Sequence, residues 1–358
     1  MKAHASTLLR AALPLLRAAA LAAAALPLAS CQFFFPTPID QARDTAEPAQ
    51  VVRSVGVGFL EGERFDAAIK LDDLKIATGT FEVLGRCVAD GKPVFDVRTR
   101  VASTGILTVF QSGKSETRGL VDVDGSSPVE SHWDVLIGER RTVLDADFEE
   151  GSFRYHQTRY LPDEDKPKQS RRKVVAPIEQ VPHDGHSVLG YLRSWEPPDG
   201  TRGFVYSLMG RNLWKADLHF VGREPLGTAK GLVVSRRIDG VARRVSERNF
   251  EPLKASAPRP FTLWISDDEA RLPLRILLET ELAKVTVELE QHRAGEAQST
   301  PLEPCEYRVE KKELAKAQPY KKAAGEDPSA ASAEENAELE KEREELKLKF
   351  LRDKGLLR

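Results

Sequence analysis

The sequence predicts a mainly β protein, a curved antiparallel sheet or partial barrel with one short helix, followed by a charged C-terminal helix. Three observations carry this. Between about residues 51 and 293, apolar and polar residues alternate in runs of strand length. The runs are separated by short turns. Helical patterning in that region is confined to residues 187–195, which Pro197 and Pro198 bound downstream.

The chain opens with Lys2, Arg10 and Arg17 and then an uncharged, alanine-rich run over residues 18–29, the layout of an export signal. That run is far short of the roughly 20 residues a membrane-spanning helix needs. Residues 28–31, Leu-Ala-Ser-Cys, resemble the lipobox of bacterial lipoproteins. The resemblance implies that residues 1–30 are removed, that Cys31 is acylated with fatty chains such as palmitate, and that several acyl chains hold the protein to a membrane. An ordinary signal cut nearby is the alternative. Gln32 is not the aspartate that retains lipoproteins in the inner membrane of well-studied relatives, so the expected address is the periplasmic face of the outer membrane. Residues 31–50 form a lipidated tether, in which Phe33, Phe34 and Phe35 suit a membrane interface.

Residues 51–293 make the β-rich domain. Residues 94–101 alternate as a half-buried strand should, and Phe148, Phe153, Tyr155 and Tyr160 flank a turn at Glu150-Gly151. Residues 232–237 and 241–245 flank Asp239-Gly240, a hairpin signal. Residues 274–282 and 285–289 read as a further strand pair. Residues 162–173, charged and without apolar period, read as a long exposed loop. A linker over residues 294–332 follows, and residues 333–358 form a charged helical tail opened by a capping box at Ser332 and carrying a narrow apolar stripe of Leu339, Leu346 and Phe350.

The 53 Lys plus Arg balance 55 Asp plus Glu, so no field for a polyanion is implied and nucleic acid is excluded as the expected partner. With Cys31 assigned to lipid, Cys87 and Cys305 are left as an even pair, either a disulfide or two buried thiols. His183-Asp184-Gly185-His186 offers two imidazoles and a carboxylate to a metal, although Asp184 serves equally as a helix N-cap, and no metal or other cofactor is expected. Asp267-Asp268 beside Arg271 reads as a turn between strands. No nucleophile elbow, P-loop or dinucleotide fingerprint occurs, and an enzyme is not expected.

Three segments in order resemble a known family. Asp184, Ser187 and Arg193 match its Asp-x-x-Ser-x-x-x-x-x-Arg helix, residues 222–231 its inter-strand turn, and Trp264, Ser266, Asp268, Arg271 and Pro273 its Trp-x-Ser-x-Asp and Arg-x-Pro signature. The family is the one named domain of unknown function 3108, an exported proteobacterial β-rich domain. The resemblance spans about residues 56–293 and implies fold and envelope location, with no catalytic residues to carry over.

The expected function is that of an outer-membrane-anchored periplasmic lipoprotein, its concave sheet face cradling a lipid or other amphiphile. Leu189, Tyr191, Leu192, Trp195 and Trp264 are the candidate lining residues, or plain core. The alternative is an envelope scaffold that holds a protein partner through the sheet edge and the C-terminal helix.

Overall fold

A strand with one face on a core buries alternate side chains, and this chain arranges fifteen strands in one sheet. The computed structural model describes residues 50–51 and 58–306, apart from residues 106–107, 109–111, 125–126, 163, 165, 177–181, 255, 280–283 and 297–301. The first part runs β1 (Gln50–Val51), β2 (Arg64–Leu71), β3 (Leu74–Ala89), β4 (Lys92–Ser103), β5 (Gly113–Asp122), β6 (Pro128–Ile137), β7 (Arg140–Glu149), β8 (Ser152–Tyr160) and β9 (Lys168–Val175). Helix α1 (Gly185–Ser194) follows, then β10 (Arg202–Met209), β11 (Asn212–Thr228), β12 (Gly231–Arg244), β13 (Arg259–Ser266), β14 (Pro273–Glu279) and β15 (Lys284–Arg293).

β2 to β9 form one antiparallel meander and β10 to β15 a second, and β15 pairs antiparallel with β2 to fuse them. The two-residue β1 adds in parallel to β10. Among the described residues no strand bridges β9 to β1, so the sheet is open. An open sheet this wide curls under its own twist. Bulges at Val83/Gly85, Phe220/Gly222 and Leu289/Gln291 sharpen the bend. The curl brings the two ends of the sheet onto a shared core, where Trp133, Leu144 and Phe153 of β6 to β8 meet Leu208, Leu213 and Trp214 of β10 and β11. α1, the crossover between the meanders, packs Val188, Tyr191, Leu192 and Trp195 inside the curve against Leu218, Phe220 and Leu263.

Two sequence expectations are corrected. Asp239-Gly240 is not a hairpin turn but lies within β12. A Cβ on Gly240 would stand 2.2 Å from the Phe261 ring, so the glycine makes room for an aromatic side chain across the strands. Asp239 meanwhile accepts hydrogen bonds from Arg237 and Thr262. The expected loop over residues 162–173 contains most of β9, an edge strand that buries only Val174 within its length. With one neighbour and solvent on the other side, such a strand carries no apolar period to read. The Asp267-Asp268 turn and the Glu150-Gly151 turn stand where expected, whereas the C-terminal helix and the Cys31 tether lie outside the described residues.

Part of the expected linker returns to the sheet. Val88 on β3 donates to the Glu303 carbonyl at 2.8 Å, and Cys305 is disulfide-bonded to Cys87 with its Cα atoms 4.9 Å apart. The bond closes 218 residues of sequence separation, and restricting so long a loop in the unfolded chain is worth about 5 kcal/mol in the chain-entropy model before strain is subtracted. Cys87→Ala and Cys305→Ala are expected each to lower unfolding stability by about 2–5 kcal/mol, and the double variant by no more than either alone, as read from urea denaturation midpoints.

Candidate functional site

Between α1 and the concave side of β2 to β4 and β13 to β15 lies a cleft of about 820 Å³, counting the part open to solvent. Phe65, Phe81, Val188, Leu189, Leu192 and Ile276 form much of its wall. Thr99 brings the only polar side chain among the lining residues, and its hydroxyl is engaged by His186. Such walls recognise an apolar chain by area and shape rather than by hydrogen bonding.

Of the expected lining residues, Leu189 and Leu192 line the cleft. Three do not. Tyr191 is buried with its ring 4.5 Å from that of His183, and Trp195 packs edge-on to Phe220. Trp264 lies on the opposite face of the sheet: Leu263 and Ile265 point inward to α1, so the two-residue period turns Trp264 outward onto Leu226 and Leu274, where its indole donates to Glu224 at 2.6 Å. Phe65, Phe81 and Ile276 went unnoticed in the sequence. Their period-two spacing marks them as inward-facing, but nothing local reveals that β2 and β15 are neighbours.

What holds the cleft open is the way α1 is tied at both ends. At its N-terminus Asp184 is the N-cap and accepts from the Ser187 amide at 2.7 Å, while the Ser187 hydroxyl accepts from the Asp184 amide at 3.0 Å, a reciprocal capping box. His186 turns Nδ1 to Asp184 Oδ2 at 3.3 Å and Nε2 to the Thr99 hydroxyl of β4 at 3.1 Å. A carboxylate only accepts, so Nδ1 carries the proton. His183 turns instead to the Ser187 hydroxyl, and its backbone pairs with β10 through Tyr206 and Leu208. The two imidazoles therefore serve different partners. A Cβ on Gly119 of β5 would stand 2.7 Å from His186 Nδ1, so glycine alone lets the sheet approach this cluster. Asp184 is fully buried, which raises its pKa. The hydrogen bond and charge of His186 and the bonds from Ser187 outweigh that effect and hold the carboxyl below its ordinary value.

At the C-terminus Arg193 places Nη1 and Nη2 at 2.8 Å from the two oxygens of Glu63, a bidentate pair in which both residues are buried. The same guanidinium donates to the carbonyls of Ala270 and Arg271 at 2.8 and 2.9 Å and lies over the Phe65 ring at 5.0 Å. Those two carbonyls belong to the turn after β13. There the Ser266 hydroxyl donates to Asp268 at 2.6 Å and accepts from the Leu272 amide at 2.7 Å.

Two outcomes test this clamp. Glu63→Gln leaves a buried guanidinium without its counter-charge and is expected to lower stability by about 3–5 kcal/mol, whereas the pair Glu63→Leu with Arg193→Met recovers part of that loss in thermal or urea melts. A carboxyl depressed in the folded state contributes stability that is present above its unfolded value, about 3.9, and is lost as pH falls through the lower folded value. Asp184→Asn is accordingly expected to flatten the decline in stability below about pH 4 relative to the native chain.

The family model described as a protein of unknown function, DUF3108, matches residues 65–290. No curated protein matches the chain. Among solved structures, a β-barrel-like protein of domain of unknown function 1849 from Brucella abortus shares 9% identity, with a TM-score of 0.41, over 69% of this chain and 100% of its own. A Bacteroides fragilis protein described as exported, with a YmcC-like fold, shares 7% identity, with a TM-score of 0.27, over 68% of this chain and 100% of its own. The matched residues run from the start of β2 almost to the end of β15 and include α1, its capping box and Arg193. The chain belongs to the DUF3108 family.

Proposed function

We propose that this protein is a lipid-anchored envelope protein whose cleft beside α1 takes up the apolar chain of an amphiphile. The observation that carries the reading is the wall of that cleft: aliphatic and aromatic side chains from five strands and a helix, with its one polar side chain, Thr99 of β4, already turned to His186. Each methylene moved from water into such walls gains about 0.8 kcal/mol, so eight of them supply about 6 kcal/mol before the cost of association. The anchor at Cys31 and the periplasmic face of the outer membrane come from the lipobox and from Gln32, and they put the cleft in a compartment bounded by lipid. Of the two features the alternative of an envelope scaffold rests on, the sheet edge is among the described residues and the expected C-terminal helix lies beyond them.

Two experiments test the two halves of the reading. Native mass spectrometry with organic extraction, on the chain from Gln32 onward purified from periplasm, is expected to find a co-purifying amphiphile. Leu189→Arg at the cleft should abolish it and Trp264→Phe on the far face should leave it in place; a clean apo mass overturns the cleft as a binding site. Metabolic labelling with radioactive palmitate is expected to mark the full-length chain and not Cys31→Ser, and equal labelling of the two would remove the anchor.

A further inference from the structure

The outer edge of the sheet carries a charge of one sign. Strands β8 and β9 hold Arg154, Arg159, Lys168, Arg171, Arg172 and Lys173 and not one acidic residue. Arg154 pairs with Glu149 and Lys168 with Glu164. Arg159, Arg171 and Lys173 make no ion pair among the described residues, and all four charges of β9 are exposed. Charged side chains on an edge strand, lysine above all, discourage pairing between molecules, and a single sign also repels a second copy of the same edge. The same charges present a basic surface that attracts an acidic segment.

The chain contains that opposite sign. Within residues 334–345 there are seven glutamates against Lys341 and Arg343, the most acidic stretch of the C-terminal tail. The tail leaves the domain at a defined point, because the disulfide pins Cys305 to β3. From β3 to β9 is six strand positions along the sheet, or about 29 Å at 4.8 Å each. The roughly 30 residues between Cys305 and Glu334 reach at most about 100 Å, so the tether spans the distance with length to spare. An acidic segment so tethered meets the edge at an effective concentration in the millimolar range, against which an exposed charge pair worth only a few tenths of a kcal/mol suffices when several act together.

We propose that residues 334–345 of the C-terminal tail dock intramolecularly on the basic β8–β9 edge.

Carbodiimide coupling on the chain from Gln32 onward, which keeps every described element, reads this directly, since it joins a lysine amine to a glutamate only when the two are in contact. The expected result is coupling of Lys168 or Lys173 to glutamates within residues 334–345 inside monomers, weakened about fivefold or more when screening is raised to 0.5 M salt. Arg159→Glu, Arg171→Glu and Arg172→Glu together, which leave both reporter lysines in place, should abolish it. Glu338→Lys with Glu342→Lys, substitutions outside the folded sheet, should weaken it as well, and combining the two sets should restore coupling. Absence of coupling in the native chain, coupling indifferent to both charge reversals, or coupling found only in covalent dimers each overturns the proposal. So does full binding of phosphatidylglycerol vesicles through Arg171 and Arg172 while the tail is present, because the edge would then be free for a lipid surface.

Discussion

The guanidinium of Arg193 is the point on which the interior depends. A ten-residue helix does not stand alone in water, because the cost of its first turn is never recovered over so short a length. α1 exists because it is docked, and the docking converges on one side chain that reaches Glu63 ahead of β2 and two carbonyls in the turn after β13. Glu63 thus comes from the start of the first meander and the turn from the second, so Arg193 holds both halves of the fused sheet to the element that crosses between them. Its charge is tolerable in the interior because bidentate pairing and two further hydrogen bonds replace the water it gave up. His292 of β15, with Nε2 3.4 Å from Glu63 and its ring stacked on Phe65, closes the same corner.

The topology explains why such a clamp is needed. β15 finds β2 across more than two hundred residues, and pairing of that kind comes late and at high entropic cost. The disulfide from Cys87 to Cys305 works on the same seam from outside, tying the return of the chain to β3. Clamp and disulfide are independent devices with one effect, keeping the start of the first meander and the end of the second side by side.

Much of this was legible in the sequence because it is local. Alternation in residues 94–101, the turn at Glu150-Gly151 and the helix bounded by Asp184 and Pro197 rest on interactions a few residues apart. The misreadings have a common cause. Asp239-Gly240 looks like a turn until Phe261 is placed over it, β9 looks like a loop until β8 supplies its hydrogen bonds, and Trp264 looks like a pocket wall until the pleat sends it outward. Each depends on a partner that the strand order brings near and the sequence keeps far. The cleft is of the same kind, with Phe65 and Ile276 made neighbours only through β15.

Five of the residues that carry the family resemblance form, physically, the two ends of the helix dock. Asp184 and Ser187 close the capping box, Arg193 makes the clamp, and Ser266 and Asp268 shape the turn whose carbonyls receive it. They fasten α1 at both ends, and the length between the fastenings, Val188, Leu189 and Leu192, faces the cleft. The cleft cannot widen by lifting the helix without breaking a buried ion pair at one end or a buried capping network at the other. Its depth is therefore set by the two fastenings.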